Sequence, residues 1–203
     1  MNASEILAKL YFSYFKEEAE IINQLPQAGS DRIYFRLSSK NQSAVGTYSK
    51  DVLENETFIH HTKHFHKKKI SVPQVYIVSD DKQFYLQQDL GDVSLYSLIK
   101  QNGINDVVKN YLKEVLKQLA YLQIKGAEDF DFSVCYPQSE FNERSVLWDL
   151  NYFKYCFLKP SGLDFQENLL EDSFNTLAKI LLETKTTAFM YRDFQSRNVM
   201  IRN

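Results

Sequence analysis

The spacing of apolar residues changes character partway along this chain, and that change limits what it can fold into. In residues 32–37, Ile33, Phe35 and Leu37 alternate with Arg32, Tyr34 and Arg36, the two-residue period of a half-buried strand. After Gly91 the period lengthens. Residues 105–125 carry Val108, Tyr111, Leu112, Val115, Leu116, Leu119 and Leu122 as one helical stripe, and Gly126 follows as a stop. Strand-like patterning early and helical patterning late predict an α+β protein with a β-rich first part and a mostly helical second part.

The remaining elements fill in that outline. Residues 4–24 read as an amphipathic helix with Ser4 as its cap, Ile6, Leu7, Leu10, Tyr11, Tyr14 and Phe15 on one face, and Pro26 as its end. The turn residues "SSKNQS" make 32–48 a hairpin, and 52–69 is helical around Phe58, Ile59 and Phe65. "VPQVYIVSDDKQFYLQQDLG" gives two more strands about "SDDK". Further helices are expected at 148–158 and 166–185, with "AFMY" and "NVMI" as short strands. The division predicts two lobes, 1–90 and 91–203, with a cleft between them.

Composition excludes more than it selects. A net charge of −2 gives no electrostatic footprint for nucleic acid or for a membrane surface. No run approaches the ~18 apolar residues of a membrane span. Glu5 and the lack of a long apolar core argue against "MNASEILAKL" as a signal peptide. Cys135 and Cys156 have no metal-ligand spacing and read as buried, reduced thiols. A cytoplasmic protein is the expectation, and its oligomeric state stays open.

Four stretches can carry chemistry. "AGSDR" puts Gly29 and Ser30 before a strand, where backbone N–H groups can cradle phosphate, although one glycine there ordinarily marks only a turn. "ENETF" opens a helix with Glu54 and Glu56, either of which can anchor a cation across a cleft or simply favour the helix dipole. "FYLQQDLGD" ends an apolar strand in polar residues and a glycine, a natural crossover between lobes. "YRDFQSRN" sets Asp193 and Asn198 on a loop. There a carboxylate can take a proton from a hydroxyl and a carboxamide oxygen can reach a hard cation, or the pair can stabilise a turn.

Taken in order, these pieces have the layout of kinase-type phosphoryl transfer. Through "GSDRIYFRL", "ENETF", "VPQVYIVSDDKQFYLQQDLGDVSL", "WDLNYFKYCFL" and "YRDFQSRNVMI", the chain resembles the aminoglycoside phosphotransferase and choline kinase-like family. It is most similar to the bacterial anomeric amino-sugar kinases acting on N-acetylmuramate and N-acetylglucosamine. The resemblance implies a two-lobed protein kinase-like fold that binds ATP and Mg²⁺ and phosphorylates a small-molecule hydroxyl. It assigns Asp193 as the catalytic base and Asn198 as a metal ligand. Gly29 and Ser30 become the phosphate-covering turn, Glu54 the helix acid with Glu56 nearby, and Gln87, Gln88 and Asp89 the adenine-holding hinge.

Three departures from that pattern stand out. Tyr191 replaces the His common before the Arg-Asp pair, at a position that packs the loop. Gly46 or Thr47 stands where kinases usually place the phosphate-pairing Lys, so Arg32 or Arg36 on the neighbouring strand is the candidate cation. The family's second metal-binding carboxylate would fall beyond Asn203. The expectation is therefore a helical lobe that is incomplete and a 203-residue chain that is inactive as it stands.

Four histidines cluster in "HHTKHFHKKK", with His60 and His64 one turn apart at a spacing that can bind Zn²⁺, but neither an H-E-x-x-H pattern nor a third ligand accompanies them. The run His64 to Lys69 could attract phosphate or RNA, but a solvated helix end is its expected reading. The aromatic run Trp148, Tyr152, Phe153 and Tyr155 favours a sugar over choline as acceptor. The alternatives are a choline or aminoglycoside kinase, or a non-catalytic nucleotide-binding module.

Overall fold

The computed structural model describes residues 2–27, 31–184 and 187–202. Helix α1 spans Ala3–Phe15 and begins at Asn2 rather than Ser4. The Asn2 side chain accepts the Glu5 N–H at 3.0 Å, and the Glu5 carboxylate accepts the Asn2 N–H at 3.3 Å, a closed capping box. The helix does not continue to Pro26. Lys16 adopts the left-handed region with φ of 60°, and Ile21–Gln24 becomes strand β1. Ile21 and Ile22 extend the helical pattern, but β1 finds a ladder partner in residues 35–38, with Ile21 opposite Ser38 and Gln24 opposite Phe35. Tertiary pairing overrides the local pattern here.

Strands β2 (Ile33–Ser38), β3 (Ser43–Tyr48), β4 (Val75–Val78) and β5 (Phe84–Gln88) complete an antiparallel sheet in the order β1-β2-β3-β5-β4. Both expected hairpins form. On one face Leu37, Ala44, Phe84 and Leu86 pack against Leu7 and Tyr11 of α1. Gly46 permits that approach, because a Cβ there would meet methyls of Leu7 and Leu37 at 2.9 Å. The Tyr11 hydroxyl donates to the Gln42 carbonyl at 2.9 Å and accepts the Ser39 N–H at 3.1 Å, fixing the helix to the β2–β3 turn.

Strand alternation sends the other side chains to the opposite face. There the register forms two rows, Tyr34–Thr47–Tyr85 and Arg36–Val45–Gln87. Helix α2 (Val52–Lys67) covers part of this face, and Phe58 stacks on Tyr85 with ring centroids 5.4 Å apart. Asn55, fully buried, donates to the Lys82 carbonyl at 2.9 Å and ties α2 to the β4–β5 turn.

Beyond the sheet lie α3 (Leu95–Asn102), α4 (Asp106–Lys125), α5 (Glu143–Phe153) and α6 (Glu167–Leu182), with a π-helical turn, Lys154–Leu158, continuing α5. The two short strands expected near the C-terminal end are absent. Phe189 instead inserts into a core with Phe65, Ile70, Leu122 and Phe130, and its N–H donates to the Gln123 carbonyl at 2.8 Å. Of "NVMI", only Met200 forms a bridge, to Ser94. No described helix is long and apolar enough to cross a membrane.

Candidate active site

Asp193 and Asn198 come together on the loop after Tyr191. Asp193 holds a left-handed backbone with φ of 60°, a region that aspartate tolerates better than most residues. A 3₁₀ turn, Ser196–Asn198, then folds the chain back. Asn198 Nδ2 donates to Asp193 Oδ2 at 3.2 Å and to the Asp193 carbonyl at 3.1 Å. Gln195 Nε2 donates to Asp193 Oδ1 at 2.7 Å. Each carboxylate oxygen is therefore held by a neutral donor, and each keeps a further lone pair for a substrate. With Nδ2 spent on Asp193, Asn198 Oδ1 takes no part in that pair.

The loop is anchored on three sides. The Leu95 N–H donates to the Val199 carbonyl and the Ile201 N–H to the Val93 carbonyl, both at 2.8 Å, so the loop is laddered to the segment that follows the crossover. Arg192 reaches Asp149 on α5 at 2.5 Å and lies over the Phe141 ring. Tyr191 packs on the Phe65–Phe189 core, as expected of a loop-packing residue. Its burial, and then the nearby Asp193 charge, raise the Tyr191 phenol above its usual pKa.

At the crossover the Asp89 side chain is fully engaged within the protein. Arg36 reaches it through Nε at 2.8 Å and Nη2 at 3.1 Å, Ser43 Oγ donates at 2.5 Å and the Gly91 N–H at 2.9 Å. Burial alone would raise this carboxyl, but the Ser43, Gly91 and Arg36 contacts outweigh it and hold it below the ordinary range. Arg36 Nη1 also donates to Asp92 at 3.0 Å. Any part Asp89 plays toward a base is left to its backbone. Gln88 Oε1 accepts the Gln74 N–H at 3.3 Å, whereas Gln87 Oε1 is buried without a partner.

Glu54 and Glu56 separate clearly. Glu56 pairs with Lys82 in the β4–β5 turn. Glu54 pairs with Arg32 at 3.2 Å, and the Arg32 guanidinium lies over the Phe58 ring at 5.7 Å. Gly29 and Ser30 fall outside the described residues. His60, His61 and His64 surround Phe130 with ring centroids 4.9 to 5.4 Å away. His64 Nε2 lies 2.9 Å from the Gly126 carbonyl. Among the described residues no group of three His, Cys, Asp or Glu side chains is placed to hold a metal, and the two thiols are not buried as expected: Cys135 is half-buried and Cys156 exposed.

Sequence reasoning passed over Gln195, the Arg192–Asp149 pair and the role of Arg36 as a clamp. A carboxamide two residues after Asp193 was a local signal for the first. The other two join residues 43 and 53 positions apart and left no such mark.

No family model and no curated protein matches the chain. Solved structures do. One is a thermostable mutant of the aminoglycoside phosphotransferase APH(4)-Ia in ternary complex with AMP-PNP and hygromycin B, with a TM-score of 0.54 at 14% identity, covering 97% of this chain and 67% of that one. Another is the ternary complex of streptomycin, ATP and APH(2")-IIa, with a TM-score of 0.57 at 17% identity, covering 100% of this chain and 68% of that one. The chain thus has the kinase-like fold of these neighbours and spans about two thirds of their length.

Proposed function

We propose that this protein is an ATP-dependent phosphotransferase that acts on a hydroxyl group of a small molecule, a sugar or amino sugar. The observation that carries the reading is the Asp193–Asn198 pair, held at 3.2 Å on a loop laddered to the crossover segment. Residues 1–90 would bind the nucleotide and 91–203 the acceptor. Asp193 orients the acceptor hydroxyl and takes its proton as the oxygen bonds to the γ-phosphorus. The bond from that phosphorus to the β–γ bridging oxygen breaks, and ADP leaves with the electron pair. Gln195 and Asn198 keep the carboxylate aimed while it changes charge.

A Mg²⁺ ion supplies neutralisation of phosphate charge in this chemistry. Among the described residues Asn198 Oδ1 is the group that would hold it. On the acceptor side, α5 is tied to the loop through Asp149 and Arg192, and it exposes Trp148, Tyr152 and Phe153, with Tyr155 exposed in the π-helical turn that follows. Aromatic faces of this kind stack on sugar rings. Hygromycin B and streptomycin in the structural neighbours make an aminoglycoside the nearest alternative acceptor.

The test is ADP release from ATP by the protein at its natural length, against amino sugars, aminoglycosides and choline. Turnover is expected with a sugar or amino sugar. Faster choline phosphorylation would reverse the acceptor assignment. ATP binding without turnover on any acceptor would favour a non-catalytic nucleotide-binding module.

A further inference from the structure

Phosphoryl transfer in kinases uses a lysine on the third strand, paired to a helix glutamate, to carry charge to the α- and β-phosphates. In this chain the third-strand position belongs to Thr47, which is fully buried beside Tyr85 and carries no charge. The helix glutamate is nevertheless present and occupied. Glu54 holds Arg32, which comes from the start of the neighbouring strand β2.

We propose that the phosphate-pairing cation has moved one strand across the sheet: Arg32, aimed by Glu54 and backed by Phe58, binds the phosphates of the nucleotide in place of the missing lysine. This rests on the nucleotide-binding reading above. Arg32 precedes Ile33, and alternation puts it on the face of Tyr34, Thr47 and Tyr85, the face away from α1. Its side chain is only 14% exposed, while that of Glu54 is 45% exposed, so the pair spans from the sheet to the open edge of α2. Glu54 is the one acid within ion-pairing distance of Arg32 among the described residues.

Engagement of the guanidinium is incomplete. It offers five N–H donors in a flat fork, and Nε is buried with no partner. A purely structural buried arginine normally has its donors answered. Here the buried Nε belongs to a guanidinium whose acid partner, Glu54, is part-exposed, and a group rich in acceptor oxygens would answer it. Polyphosphate has that chemistry.

Calorimetry with adenosine, AMP, ADP and ATP separates this role from fold maintenance. Wild type should gain affinity with each added phosphate. Arg32→Gln should weaken ADP and ATP by about 10- to 100-fold and leave adenosine within about twofold, since a hydrogen bond to a charged group is at stake. Adding Thr47→Lys to Arg32→Gln should recover part of the loss for ADP and ATP alone. If Arg32→Gln does not fold, Arg32→Lys serves, with a smaller loss confined to the phosphate-bearing ligands. Equal weakening of all four ligands, or none, overturns the assignment. Absence of nucleotide binding by wild type would instead overturn the phosphotransferase reading itself.

Discussion

Asp193 is held by two carboxamides, so replacing it with Asn changes chemistry more than shape. Asp193→Asn removes the proposed proton acceptor and keeps the side-chain volume. Turnover should fall about 10²- to 10⁴-fold, the usual scale of a lost general base, while the ATP dissociation constant moves by less than about twofold. Steady-state rates beside calorimetry decide it, and near wild-type turnover removes Asp193 from its role. His61 makes a different single-residue prediction. Burial, and then the neighbouring His60 and His64, lower its pKa to about 4. Its ordinary value in the unfolded chain is about 6.5, so the unfolded state binds the extra proton between those values. The stability that depends on neutral His61 is complete above about pH 6.5 and drains away as pH falls toward 4. Urea unfolding should show a loss on the order of 2 kcal/mol over that window, allowing for partial exposure, and His61→Gln should flatten the slope. At this scale the sequence was legible where partners are local. Six residues of one loop suffice to suggest Asp193 and Asn198. The choice between Glu54 and Glu56 needed the sheet face, and the Asp89 carboxylate was engaged by Arg36, distant in sequence but adjacent in space.

Periodicity located most elements because each turns one apolar face toward a neighbour, although on α4 only Val108 and Leu122 are buried and Leu116 stays exposed. The hairpin at 32–48, α2, the β4–β5 pair and the long α4 all follow from it. It failed for residues 16–24 and for 188–201. In both places the apolar residues answer to distant partners, β2 for Ile22 and the Phe65 core for Phe189. Gly46 tests how tightly one such face is packed. Strand β3 gains some backbone rigidity from alanine in place of glycine, worth about 0.5–1 kcal/mol. Against this, the added methyl meets Leu7 and Leu37 at 2.9 Å, and both leucines are fully buried with nowhere to turn. Overpacking of this kind costs about 1–3 kcal/mol. Gly46→Ala should therefore lower stability by about 1–2 kcal/mol in urea unfolding, and Gly46→Val by more. A stabilised Gly46→Ala would mean that α1 rides loosely on the sheet.

At the scale of the whole molecule, the β-rich and helical halves meet at several places among the described residues, including bonds from Thr57 to Val134 and from Lys68 to Asp129. One is the aromatic core in which Phe65 of α2 packs with Phe130 and Phe189. Another is the crossover after β5, where Arg36 grips Asp89 and Asp92 and the following Val93–Leu95 ladders to residues 199–201. Arg36 thus stands at one end of a mechanical path whose other end is the Asp193–Asn198 loop. Arg36→Gln keeps a polar stem but releases both acids and leaves the half-buried Asp89 to Ser43 and Gly91. Removing one partner of a fully buried ion pair costs about 3–5 kcal/mol. Here the Arg36 side chain is 26% exposed and that of Asp89 12%, so about 1–3 kcal/mol is expected. The loss should be local in its effect. Amide hydrogen exchange should quicken at residues 89–93, and at 199–201 through the ladder, while β2, β3 and α4 keep most of their protection. Turnover should fall with loop disorder even though Arg36 touches neither Asp193 nor Asn198. Exchange that rises evenly across the chain would make Arg36 an ordinary stability contact. Exchange unchanged at 199–201 would show that the crossover and the catalytic loop move independently.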